Sequence, residues 1–242
     1  MADARDPGRL LASGRDGDIF EYGPGLVVRR SKTARSLASE ARILTYVAER
    51  GFPVPAVHEL REEGTELVLE RVDGPLLVDT ASKPWSSSRA MGVLADLHDQ
   101  LHALEAPEWL STFPGCRETS RRVVHLDLHP LNVIMSPTRG PVVIDWANAR
   151  AGDPLCDVAV TYALMLCGQM PGPRWISRLT QPMRSALLGG PFIARYQSTA
   201  LWQCIADMAG LKALDPNMYP DEIRALQRLA ELARRRAAQS RH

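Results

Sequence analysis

At 242 residues the chain has material for one large domain or two small lobes with their own cores. Lys and Arg number 29 against 28 Asp and Glu, with 45% hydrophobic residues, so the composition is that of a soluble globular protein without the basic footprint of a nucleic-acid binder. The opening MADARDPGRL lacks the apolar core of a secretory signal, the run Val158–Gly168 is too short to span a bilayer, and Cys116, Cys156, Cys167 and Cys204 are irregularly spaced, as reduced thiols of a cytoplasmic protein are.

In chain order, the segment ASGRDGDIF (Ala12–Phe20) lies before the first expected hairpin. It supplies Gly14 and Gly17, whose backbones can approach a phosphate closely, although any surface turn has the same look. GDIFEYGPGLVVRR reads as two apolar strands around Gly23-Pro24-Gly25. Leu37, Ala41, Leu44 and Ala48 then recur at helical spacing until Gly51 and Pro53 end the helix. TELVLERVDG is a further strand running into a turn. From Ser86 the period changes: Met91, Leu94, Leu97, Leu101 and Leu104 mark a long amphipathic helix ending near Pro107. After Asp153 the chain reads as helical to its end, with Asp153 as N-cap and Pro154 in the first turn. The expectation is an α+β protein, with a small β-rich N-terminal lobe over 1–72 and a larger, mainly α-helical C-terminal lobe over 73–242.

Between the two helical stretches lies HLDLHPLNVIMSPTRGPVVIDWAN. NVIM and PVVID are short apolar strands joined by the turn SPTRG, so Asn132 and Asp145 flank that turn at similar distances, at the open end of a hairpin. Asp127 sits on the loop feeding that end. Three oxygen-bearing side chains converge without a soft ligand among them, a donor set that suits Mg²⁺ with room for waters and phosphates. A structural reading competes, with Asp127 as a salt-bridged core carboxylate. Zinc competes too, because His125, Asp127 and His129 alternate, but Pro130 breaks that strand and no third soft ligand is evident. HDQLH (His98–His102) mimics the HExxH zinc motif with Asp99 in place of Glu, yet its histidines flank a seam of Leu97 and Leu101, which favours packing.

The pattern His125-x-Asp127-x-x-x-x-Asn132, then Ile144-Asp145-Trp146, then Gly152-Asp153-Pro154-x-x-Asp157, resembles the aminoglycoside phosphotransferase and choline kinase group of the kinase-like fold. The resemblance implies a two-lobed protein-kinase-like fold and transfer of the γ-phosphate of ATP to a hydroxyl of a small molecule. Asp127 would be the catalytic base, Asn132 and Asp145 would hold Mg²⁺, and Asp157 would brace the catalytic loop. Gly14 and Gly17 would cover the phosphates. The fold also expects a Lys at the end of the third strand, paired with a helix Glu. Here LVVRRS offers Arg29, with Arg30 as the fallback, opposite Glu40. An arginine serves phosphate with a permanent charge and a bidentate fork. Adenine would lie against main-chain groups of Glu70 and Val72. Without the Lys, the alternative is a nucleotide-binding pseudokinase with a regulatory role.

The acceptor pocket in this group is built from the helical lobe. Residues 158–242 carry Arg174, Arg178, Arg184, Arg195, Lys212, Arg224, Arg228, Arg234, Arg235, Arg236 and Arg241 against Asp207, Asp215, Asp221, Glu222 and Glu231. That is no acidic trap for a polycationic antibiotic, so a neutral or anionic metabolite is at least as good a candidate as an aminoglycoside. Trp85, Trp175, Tyr196 and Trp202 are candidates for a ring-stacking pocket or for ordinary core packing.

Overall fold

The computed structural model describes residues 8–14, 16–81, 84–114, 120–168, 185–196, 198–215 and 218–239. They form two compact units, Met1–Pro75 with Ile134–Ala147, and Leu76–Val133 with Asn148–His242. The architecture is α+β, as the alternation of patterns predicts.

In the first unit, β1 (Leu10–Ser13), β2 (Gly17–Glu21), β3 (Leu26–Ser31), β4 (Val57–Arg61) and β5 (Glu66–Glu70) form an antiparallel sheet in the order β1-β2-β3-β5-β4. The β2–β3 turn uses Gly23 and Gly25 at φ of 104° and 69°, a region only glycine enters without strain. The segment with Gly14 and Gly17 does not precede the first hairpin; it is the turn of it, with the Gly14 N–H donating to the Gly17 carbonyl at 2.9 Å. β1 escaped detection because it is an edge strand with no buried residue, so it leaves no alternating pattern.

Helix α1 (Ala38–Ala48) buries Ile43, Leu44 and Val47, while β3 and β5 bury Val28, Leu67, Val68 and Leu69. Each such aliphatic side chain contributes roughly 1.5–3 kcal/mol when fully buried. The hairpin of β7 (Val133–Ser136) and β8 (Gly140–Val143) forms as read from NVIM and PVVID. Its far end docks in this unit: the Val143 N–H donates to the Pro53 carbonyl at 2.8 Å, and Trp146 meets Phe52 edge-on at 5.6 Å.

The second unit is helical around one short ribbon. It holds α2 (Leu77–Thr80), α3 (Pro84–His102), β6 (Arg122–Val124) paired antiparallel with β9 (Arg150–Gly152), α4 (Pro154–Cys167), α5 (Gly190–Ile193), α6 (Thr199–Lys212) and α7 (Pro220–Gln239). Asp153 caps α4 as expected, its Oδ1 accepting from the Leu155 N–H at 2.8 Å. Leu94, Leu97 and Leu101 of α3 supply the core with Val123, Val124 and Val158. α6 and α7 pack against each other, and Ala206, Ala209, Ala230 and Ala233 on them are buried.

Among the described residues, Trp85, Tyr196 and Trp202 do not gather into a stacking pocket. Trp85 is exposed, Tyr196 donates its hydroxyl to the Ala95 carbonyl, and Trp202 packs edge-on to Tyr162 beneath the Arg236 guanidinium. Trp175 and Cys116 lie outside the described residues. Cys156 and Cys167 are buried and Cys204 is half-buried. Among the described residues no helix is long and apolar enough to cross a membrane.

Candidate active site

In the helical unit, β6 delivers the chain into the segment that carries Asp127. Leu126 sits at φ 61°, a left-handed conformation unfavourable for a branched side chain. Asp157, in the first turn of α4, compensates. Its carboxylate accepts the N–H of His125 at 2.9 Å and of Leu126 at 2.7 Å, and lies 3.0 Å from His102 Nε2. Burial alone would raise the carboxyl of Asp157, but the His102 hydrogen bond and the neighbouring imidazoles hold it well below the ordinary carboxylate range. Thr161 fastens the next residue but one, donating to the Leu128 carbonyl at 2.8 Å. The strained turn is thus over-determined by bonds from α3 and α4, the condition under which such strain persists.

Beyond Leu126 the chain turns tightly. The His129 N–H donates to the Asp127 carbonyl at 2.9 Å, and Pro130 starts one turn of 3₁₀-helix ending at Asn132. Asn132 Nδ2 donates to the Asp127 carbonyl at 2.9 Å and to its Oδ2 at 3.3 Å; His129 Nε2 stands 3.5 Å from Oδ1. The Asp127 side chain keeps 20% of its surface open. Asp127 and Asn132, separated in sequence by a proline turn, are therefore one hydrogen-bonded pair, and Asn132 keeps its amide oxygen as a hard donor.

In the sheet unit a second group assembles. Arg29, on the buried side of β3, lies with Nε 3.3 Å from Glu40 of α1 and donates from Nη1 to Asp145 Oδ1 at 3.0 Å. Arg30 instead turns to Glu66 on β5. Burial lifts the Glu40 carboxyl to about 7, with the Arg29 guanidinium and the Trp146 N–H pulling the other way. Asp145 adopts φ 63° and keeps 39% of its side chain exposed. Gly17 lies over this arginine: a Cβ there would come within 2.9 Å of the Arg30 carbonyl and 3.7 Å of the Arg29 stem.

The reading of the sequence missed Lys32, one residue beyond β3. Its Nζ donates to the Gly14 carbonyl at 2.7 Å and to Ser13 Oγ at 2.8 Å, and pairs with Asp18 at 3.0 Å, so it clasps the glycine turn. Nothing in a lone Lys after two arginines signals this. Glu70 has its N–H taken by the Ala56 carbonyl, and its carboxylate is gripped by both the Ala56 N–H and Arg139. Val72, whose main chain was expected to meet adenine, is half-buried two residues beyond the end of β5.

His98, His102 and Asp157 are the one group of three that brings possible metal-ligand atoms together among the described residues. Their arrangement is that of a hydrogen-bonded brace. Asp157 is already bonded to two loop amides, and His98 Nε2 meets the Thr161 hydroxyl at 3.1 Å. Burial drives the imidazole of His98 down to about 3.

A family model described as the phosphotransferase enzyme family matches residues 83–182. No curated protein matches the sequence. Among solved structures, a thermostable mutant of aminoglycoside phosphotransferase APH(4)-Ia aligns over 97% of this chain and 95% of its own, with TM-score 0.61 and 17% identity. A form of the same enzyme in ternary complex with ADP and hygromycin B aligns over 93% and 92%, at TM-score 0.61 and 18% identity. Choline kinase LicA from Streptococcus pneumoniae aligns over 97% and 94%, at TM-score 0.55 and 14% identity. The resemblance read from the motifs is borne out, and the fold is kinase-like.

Proposed function

We propose that this chain, with the fold shared by aminoglycoside phosphotransferases and choline kinase, is an ATP- and Mg²⁺-dependent phosphotransferase acting on a hydroxyl of a small molecule. The observation that carries the reading is the Asp127–Asn132 pair, held on a strained loop that Asp157 and Thr161 pin from behind. Asp127 accepts the hydroxyl proton of the acceptor, and Asn132, by bonding that carboxylate, fixes its aim. Asn132 Oδ1 and the Asp145 carboxylate are hard oxygen donors that fit Mg²⁺. Bound Mg²⁺ would neutralise charge on the phosphates as they react. Arg29 supplies a fixed positive charge toward the nucleotide, steadied by Glu40, and Gly14 and Gly17 offer a turn whose backbone can lie close to phosphate. The Glu70 carbonyl and main-chain groups of Val72 take the adenine, since the Glu70 N–H is already bonded to Ala56. Such reactions need positioning and charge stabilisation more than covalent help, which is why so few side chains suffice. Irregularly spaced cysteines without a CxxC pair and a need for ATP both favour the cytoplasm.

One observation favours a nucleotide-binding pseudokinase: the strand cation is an arginine, and it is bonded to Asp145. A single experiment separates the two. Purified protein is given Mg²⁺ and γ-labelled ATP with a panel of sugars, amino alcohols and antibiotics, alongside Asp127→Asn. Phosphotransfer that falls about 10²–10⁴-fold in the variant, with ATP binding retained, is the expected result. Near-normal turnover in the variant would overturn the role of Asp127. Transfer to none of the alcohols with ATP still bound would favour the pseudokinase.

A further inference from the structure

The helical unit contains a cavity of about 290 Å³ that the loop bonds described above leave unused. Leu126, Val160, Met208 and Leu211 form its apolar wall. Its charged lining consists of Arg150, Lys212 and Asp215, a net charge of +1. Lys212 already lies 3.6 Å from Asp215. Leu126 is the residue before Asp127, and consecutive Cα atoms are only about 3.8 Å apart, so one lining residue of the cavity adjoins the proposed base in the chain.

We propose that this cavity seats the acceptor, and that the acceptor is a small alcohol with an apolar body and an acidic group. Two features decide the class. The volume is at the small end for ligand pockets, roughly 300–1,000 Å³, and suits one ring rather than a chain of aminosugars. The charge balance is wrong for a polycation: several ammonium groups would meet two cations and one carboxylate that Lys212 already partners. An acid entering the same space meets a net positive lining, while its apolar part replaces water against Val160 and Met208.

The inference rests on the phosphotransfer reading for the word acceptor, but binding in the cavity does not require turnover, so the two fail separately. Three probes of nearly equal shape test it on the full chain: 4-(hydroxymethyl)benzoate, 1,4-benzenedimethanol and 4-(aminomethyl)benzyl alcohol. Titration calorimetry is expected to rank the anion at least tenfold above the amine, with the neutral diol between them. Arg150→Gln should bring the anion down to the diol. Leu211→Trp, at a half-exposed position, should fill the cavity and abolish binding of all three without disturbing the core. An amine that binds as well as the acid overturns the inference, as does acid binding indifferent to Leu211→Trp. Anion preference with no transfer to any alcohol upholds the ligand class and overturns phosphotransfer. Transfer to polycations without anion preference does the reverse.

Discussion

Arg29 serves two carboxylates with one guanidinium, and a lysine has no equivalent of that fork. Arg29→Met should strand Glu40, only 5% exposed, without its counter-charge, at a loss of about 1–3 kcal/mol in urea unfolding. Affinity for ATP should fall roughly tenfold or more, since a charge-assisted contact to phosphate disappears. Arg29→Lys should recover part of the stability, because one ammonium reaches one carboxylate at a time. Equal stability of all three proteins would show that the cluster is not a mutual dependence. The sequence left Arg29 and Arg30 open because both stand at a strand end. The choice becomes physical only when α1 brings Glu40 to one face and β5 brings Glu66 to the other. Leu126 was equally silent: its left-handed backbone persists because Asp157, 31 residues further along the chain, accepts its N–H.

At the scale of elements, legibility followed periodicity. α1, α3 and the start of α4 carry apolar stripes or caps and were readable; β1 and β4 are exposed edge strands and were not. The HDQLH stretch was readable as packing rather than metal chemistry, but the use of that packing was hidden, since His102 meets Asp157 only when α3 lies beside α4. This junction makes a prediction. Asp157→Asn keeps the shape but replaces one acceptor oxygen by a donor facing amide N–H groups of His125 and Leu126. The loop should relax, and kcat should fall by one to two orders of magnitude while KM for ATP changes little, because a misaimed base affects chemistry more than nucleotide binding. Restored rates in Asp157→Glu, which keeps the charge, would point to electrostatic bracing. A KM effect without a kcat effect would refute the bracing role.

Over the whole molecule, buried ionisable groups set opposing responses to acid. In the helical unit, His98 is fully buried and its imidazole is held down to about 3, against an ordinary value of 6.5. The unfolded chain therefore takes up a proton there first, and stability is lost as pH falls from about 6.5 toward 3, on the order of 1 kcal/mol per pH unit at most. Asp157, depressed from 3.8, adds loss in the same direction at still lower pH. In the sheet unit the sign reverses. Glu40, lifted to about 7 from 4.5, favours the folded state while protonated, so its contribution is complete below about 4.5 and disappears as pH rises through 7. Lowering the pH from 7.5 to 5 should thus weaken the helical unit and strengthen the sheet unit. Amide hydrogen exchange, corrected for the intrinsic pH dependence, reads the two separately: protection should drop along α3 and α4 and rise along β3 and β5. His98→Gln keeps a donor toward Thr161 but cannot titrate, so it should flatten the acid response of α3 and α4. An unchanged response in that variant would move the acid sensitivity to other groups, whereas a flattened one confined to the helices ties it to the imidazole wedged behind the Asp127 loop.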